Sequence, residues 1–207
     1  FGIGGGGNRG QTQRARSEYA KGGGHINLEG IDNFAGVNIA DHEVNLKILL
    51  NMSQAKGLLS EAEKNKTLCS LTEQVVKLVL WDNYNQILAL SRDERLSRTY
   101  LKDFIAALRI LEQNLPAFKR KDFQIPKDEN IHEVINKENS IVGPVLDSML
   151  SYAKIFVKDI LIKSTLIDEN FALGYLYKYF PKSFVGIYEH EISQHPLKRE
   201  LIATALA

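Results

Sequence analysis

Apolar residues recur at helical spacing through most of the chain. Ile39, Val44, Ile48 and Leu49 begin a helix that runs from Val37 to about Gln54, and Gly57 can end it. Leu71, Val75, Leu78 and Val79 form one stripe of a long helix, extended by Leu80, Tyr84, Ile87 and Leu88, with Trp81 and Tyr84 expected in the core. Two hydroxyl and carboxylate pairs, Ser60 with Glu63 and Ser70 with Glu73, have capping-box spacing, and the second is expected to open that helix. Leu101, Phe104, Ile105, Leu108 and Leu111 predict another helix, followed by a connector marked by Pro116 and Pro126 and a short helix near Ile131 to Ile135. Gly143-Pro144 opens a helix whose face carries Leu146, Met149, Leu150, Ala153, Val157, Ile160 and Leu161. Residues 169–180, 182–193 and 196–207 predict three more, punctuated by Pro181 and Pro196.

The opening segment differs, because eleven of the 15 glycines precede Val37. Glycine serves where backbone turns tightly or approaches a ligand, so this part reads as short elements joined by functional turns. Gln11 to Lys21 predicts a short helix stopped by Gly22, Gly23 and Gly24. His25 to Leu28 then predicts a strand, and Gly30 to Gly36 a turn-rich stretch. The fold class expected is mainly α, a helical C-terminal domain preceded by a truncated α/β, Rossmann-type remnant.

Composition narrows the function classes. Lys plus Arg number 26 against 25 Asp plus Glu, without the basic excess of a nucleic-acid-binding domain, so no nucleic-acid partner is expected. The single cysteine, Cys69, offers neither an internal disulfide nor zinc-ligand spacing, and no metal is expected. No apolar run is long enough to span a bilayer, and no signal peptide opens the chain; a cytoplasmic protein without a membrane partner is the expectation. The first residue is Phe, as expected of a processed start or a sequence that begins inside a longer chain.

Candidate chemistry concentrates in the glycine-rich part. Gly2, Gly4 and Gly7 match GxGxxG, with Glu29 at about the distance of the ribose-binding acid, but Phe1 leaves no strand before them and chance is the simpler reading. Asn8 and Asn33 sit beside glycine turns, where an amide can donate to and accept from a carboxamide; local turn bonding is the plainer alternative. Asp41, His42 and Glu43 read as acidic capping at a helix start, and consecutive positions make a poor metal site. His190 and His195 read as solvated surface residues, and Lys119, Arg120 and Lys121 as a solvated basic loop.

The stretch GGGNRGQTQRARSEYAKGGGHINLEGIDNFAGVNIADHEVNLKILLN resembles the large-class NAD-specific glutamate dehydrogenases, which read EGGNLGLTQ, then a helix, then DNSAGV and DHEVNIK. The resemblance continues through LVLWDNYNQILALS, LSYAKIFVKDIL, YFPKSF and HPLKRELIATALA, in family order and over nearly the whole chain. It implies that residues 1–50 are the C-terminal remnant of the NAD-binding domain and residues 51–207 the helical C-terminal domain. It places Gly6, Gly7, Asn8 and Asn33 near the nicotinamide of NAD, and Val37 and position 40 at the substrate.

The family's catalytic lysine and aspartate are implied to lie upstream of Phe1, so no catalytic residue is assigned here. Departures cluster at the cofactor end: Gly5 replaces Glu, Arg9 and Gln11 replace Leu, Phe34 replaces a small residue, and Ala40 stands where Ser binds the substrate carboxylate. The parent reaction implied is oxidative deamination of L-glutamate to 2-oxoglutarate and ammonia with reduction of NAD, the segment alone being inactive. Homo-oligomers, or association with the missing upstream half, are the partners expected. The competing reading is a non-catalytic helical interaction or assembly module.

Overall fold

The computed structural model describes residues 1–5 and 10–207. Two short parallel strands, β1 (Gly2–Ile3) and β2 (His25–Ile26), pair Gly2 with His25 and Ile3 with Ile26. Between them runs α1 (Gln13–Lys21), whose first turn is capped by the Thr12 hydroxyl accepting from the Ala15 amide at 3.2 Å. Gly23, at φ 93°, supplies the left-handed residue that turns the chain back into β2. A strand, a helix and a parallel strand in succession form the smallest α/β unit, so the remnant read from the sequence is present.

Everything after β2 is helical or irregular, as the hydrophobic spacing predicts: α2 (Glu29–Asp32), α3 (Phe34–Ala55), α4 (Glu61–Thr99), α5 (Leu101–Asn114), α6 (Gly143–Lys163), α7 (Leu173–Tyr179), α8 (Lys182–Ser193) and α9 (Lys198–Leu206). The turn expected over Gly30 to Gly36 is instead helical on both sides of Asn33, because the α2 and α3 backbone bonds outweigh the modest cost of glycine within a helix. The Ser60 capping box forms, with the Ser60 amide donating to Glu63 at 2.8 Å and the Glu63 amide to the Ser60 hydroxyl at 3.3 Å. Ser70 opens nothing. It lies inside α4 and turns its hydroxyl back onto the Thr67 carbonyl at 2.7 Å, a bond that a helix interior accommodates.

The chain divides into two compact units, each discontinuous in sequence. One comprises Phe1–Phe34 and Asn83–Phe156, the other Ala35–Asp82 and Val157–Ala207. Residue 50, the boundary read from the resemblance, falls within α3 in the second unit. In the first unit Leu108, Leu111, Phe118, Ile141, Val145 and Leu146 pack a core with Ile26 and Ile31 of the α/β remnant. In the second, Leu46, Leu49 and Leu50 of α3 pack with Val75 and Val79 of α4 and with Leu176, Phe180, Phe184 and Ile202. Arg199, at the start of α9, donates to the Ile162 and Ser164 carbonyls at the end of α6 and pairs with Asp168.

Several side chains expected inside lie outside. Trp81 is 61% and Tyr84 58% exposed, and Val157 and Ile160 of α6 are exposed as well. The cores bury Leu71, Val75 and Val79 of the α4 stripe and Leu146 and Met149 of the α6 face, and leave uncovered the surface that extends the α4 stripe and the later turns of α6.

Candidate functional site

The glycine run that leaves β1 is held at both ends by the carboxylates of α2. The Gly5 amide donates to Asp32 Oδ2 at 2.6 Å and the Gly10 amide to Glu29 Oε1 at 2.6 Å. Arg16, buried on α1, braces the arrangement by donating to Glu29 Oε1 at 3.0 Å and to the Asn27 carbonyl at 2.5 Å, while the Asn27 amide donates to Asp32 Oδ1 at 3.2 Å. Charge-assisted bonds of this kind fix backbone geometry more firmly than neutral ones. Gly6, Gly7 and Asn8 lie outside the described residues. The residues flanking them are tied to the helix that ends at Asn33, whose amide donates to the Glu29 carbonyl at 2.8 Å.

Gly2 sits within β1, paired with His25, rather than in a turn that follows a strand. Glu29 is engaged with Arg16 and the Gly10 amide. Those positions remove the GxGxxG reading for Gly2 and Gly4, and Gly7 lies outside the described residues.

Beside the two strands is a cavity of about 390 Å³ lined by Gly4, Asn27, Asp32, Ser91, Glu94 and Asn136, among others. Ligands of parallel sheets bind near the strands' carboxyl ends, and Gly4 and Asn27 mark those ends here. Asp32 and Glu94 give the lining carboxylates that repel a pyrophosphate but suit a neutral or cationic ring with a carboxamide. The residues therefore fit the nicotinamide end of a dinucleotide and not its phosphates.

Asp147, of which the sequence reading gave no sign, secures the same loop from α6. Its Oδ2 accepts from the Leu28 amide at 2.5 Å, Oδ1 is buried without a partner, and the side chain has no exposure. Burial pushes the carboxyl up to about 7, reinforced by nearby Asp32 and opposed by the Leu28 bond and Arg16. Its only sequence signal is an acid in the first turns of a helix, which reads as dipole compensation.

In the second unit, Val37 and Ala40 share an exposed face of α3, and Val37 is 68% exposed. The opposite face is polar and buried. Asp41, His42 and Glu43 lie well inside α3 rather than at its start. His42 is buried, stacks on Tyr179 with ring centroids 4.4 Å apart, and has its Nε2 at 3.8 Å from Asp82. Asn38 donates to Asp82 at 2.9 Å, and the Tyr179 hydroxyl donates to Asp41 at 2.6 Å while accepting from Asn45 at 2.9 Å. Desolvation, and then the bond to Asp41, hold the Tyr179 phenol protonated well above its usual range.

His195 corrects the surface reading: it is 2% exposed, its Nδ1 accepts from the Leu197 amide at 3.0 Å, and burial lowers its basicity. His190 is exposed. Among the described residues no group of three or more His, Cys, Asp or Glu could hold a metal ion, and no helix is long and apolar enough to cross a membrane.

Two family descriptions match the chain: bacterial NAD-glutamate dehydrogenase, catalytic domain, over residues 2–93, and glutamate dehydrogenase, C-terminal, over residues 138–207. Over both stretches the chain is similar to glutamate dehydrogenases of the bacterial NAD type. Among curated relatives it is 38% identical over 205 residues to the NAD-specific glutamate dehydrogenase of Halomonas elongata, 35% over 205 residues to that of Pseudomonas aeruginosa and 31% over 206 residues to that of Mycobacterium tuberculosis. Each alignment takes in 99% of this chain but only 12–13% of the relative's length. The chain thus corresponds to a short segment of these glutamate dehydrogenases.

Proposed function

We propose that the chain is the segment of an NAD-dependent glutamate dehydrogenase that completes the nicotinamide side of the active site and continues into the helical C-terminal region. The parent reaction removes hydride from the Cα of L-glutamate and releases 2-oxoglutarate and ammonia, and NAD, when bound, supplies the hydride acceptor. The observation that carries this reading is the match along 99% of the chain to NAD-specific glutamate dehydrogenases. The Gly5 and Gly10 amides held by Asp32 and Glu29, near an acidic cavity, support it.

This chain's residues bind and orient. Gly6, Gly7 and Asn8, flanked by the Gly5 and Gly10 amides that donate to Asp32 and Glu29, and Asn33 at the end of α2 form the carboxamide side of the cofactor site. Val37 and Ala40 take the substrate side. No residue here moves a proton in the reaction: the acid and base groups belong to the preceding part of the parent, with which this segment associates. Residues 1–50 are accordingly the end of the nucleotide-binding domain, and the enzyme is cytoplasmic.

Asn33→Ala in a full-length parent tests the assignment. A lost amide contact is worth about 0.5–1.5 kcal/mol, so KM for NAD should rise severalfold while that for glutamate stays near wild type. Equal NAD parameters for variant and wild type would remove Asn33 from the site.

A further inference from the structure

Residues 94–137 fall outside both family-matched stretches, and they wall a second concavity, far from the chemistry assigned above in residue content. It measures about 870 Å³ and lies where the Pro116 to Pro126 connector folds back against α5, a volume within the usual range for small-molecule sites. The floor is built on Arg120, 8% exposed, which donates to Glu112 at 2.8 Å, to Asp128 at 2.6 Å and to the Pro126 carbonyl at 3.2 Å. Arg109 donates to the other Asp128 oxygen at 2.5 Å. Hydrogen bonds from Arg120, and then from Arg109, hold the Asp128 carboxyl below the usual carboxylate range. The two guanidinium groups and the two carboxylates cancel.

What remains charged on the wall is Lys119, Lys121 and Lys127 against Glu129, a balance of +2. None of the three lysines makes an ion pair among the described residues, although carboxylates are as plentiful as cations in the chain. The basic run read as a solvated loop is therefore a frame: its middle residue is buried and hydrogen-bonded, and the exposed flanking lysines line a concavity with Phe118, Ile125, Pro116 and Pro126 at its apolar wall.

We propose that this concavity binds a small multivalent oxyanion, a di- or tricarboxylate or a polyphosphate group, held by Lys119, Lys121 and Lys127 over the fixed Arg120. A compact ligand with two or more negative charges matches three ammonium groups around one hollow, whereas a nucleic-acid strand needs a basic stripe that a chain of net charge +1 lacks. The ligand sits apart from the acidic cavity beside β1 and β2.

Titration of the chain with pyrophosphate, and separately with a tricarboxylate, followed by amide NMR shifts, tests this. Saturable shifts confined to residues 109–129 are expected, with affinity falling steeply as salt rises. The stronger of the two anions names the source. The variant K119E/K121E/K127E alters only exposed side chains; with its helical circular dichroism intact, it should lose about tenfold or more in affinity. Shifts scattered over all lysines, a variant that binds like wild type, or tighter binding of an RNA oligonucleotide than of either small anion would each overturn the assignment.

Discussion

A buried carboxyl with a single bond partner, Asp147, makes stability depend on pH in a predictable direction. Its folded-state pKa of about 7 lies above the ordinary aspartate value of 3.8, so the folded chain retains a proton that the unfolded chain releases. Well below pH 4 both states are protonated and the titration makes no contribution. Between about pH 4 and pH 7 stability falls as pH rises, by up to about 4 kcal/mol, and then levels off. Asp147→Asn keeps an oxygen for the Leu28 amide and removes the titration. Urea denaturation should find the variant gaining on wild type from about pH 5 to pH 8, whereas parallel profiles would show Asp147 ionised throughout. A second residue-scale expectation concerns Ala40, exposed on α3 with room for a hydroxyl. Ala40→Ser in the parent enzyme should lower KM for glutamate by about tenfold or more, the worth of a hydrogen bond to a charged group at about 1.5–3 kcal/mol; an unchanged KM would remove position 40 from the substrate site.

At the scale of the element, local chemistry was legible where bonds join near neighbours. The end of α3 shows it: the Leu58 amide reaches the Ser53 carbonyl at 3.0 Å across Gly57, whose φ is 71°. That is the Schellman closure, and a side chain there is strained. Gly57→Ala should therefore destabilise by about 1–2 kcal/mol, read as a lower midpoint in thermal denaturation; an unchanged midpoint would mean the turn adopts another conformation. The Ser60 box, the Gly143-Pro144 start and the extent of α8 were readable for the same reason. Ser70 was not, because a hydroxyl three residues before a carboxylate also suits a helix interior. The Arg16, Glu29 and Asp32 bracing, the buried His42 and His195, and Asp147 at Leu28 depend on contacts between residues distant in sequence, which spacing does not reveal.

Across the whole molecule, two units interleaved in sequence leave much apolar surface uncovered. Val76, Leu80, Trp81, Tyr84, Ile87 and Leu88 of α4 are all exposed, in a chain that matches only 12–13% of its relatives' length. Since Trp81 is the one tryptophan, intrinsic fluorescence reports on that face directly. Acrylamide should quench it nearly as well as a free indole, and strong protection would show the stripe covered by a second copy. The proposed function rests on sequence likeness along the chain to NAD-specific glutamate dehydrogenases, supported by the Gly5 and Gly10 amides held by Asp32 and Glu29. Hydride transfer needs donor and acceptor carbons held in near-attack geometry with matched acid and base groups, and on the proposed reading this segment supplies binding residues alone. Calorimetric titration of the isolated chain with NAD, paired with NADH absorbance under excess L-glutamate, tests that account most directly: it predicts no turnover and no measurable heat at micromolar NAD, whereas micromolar affinity or steady NADH production from this chain alone would contradict it.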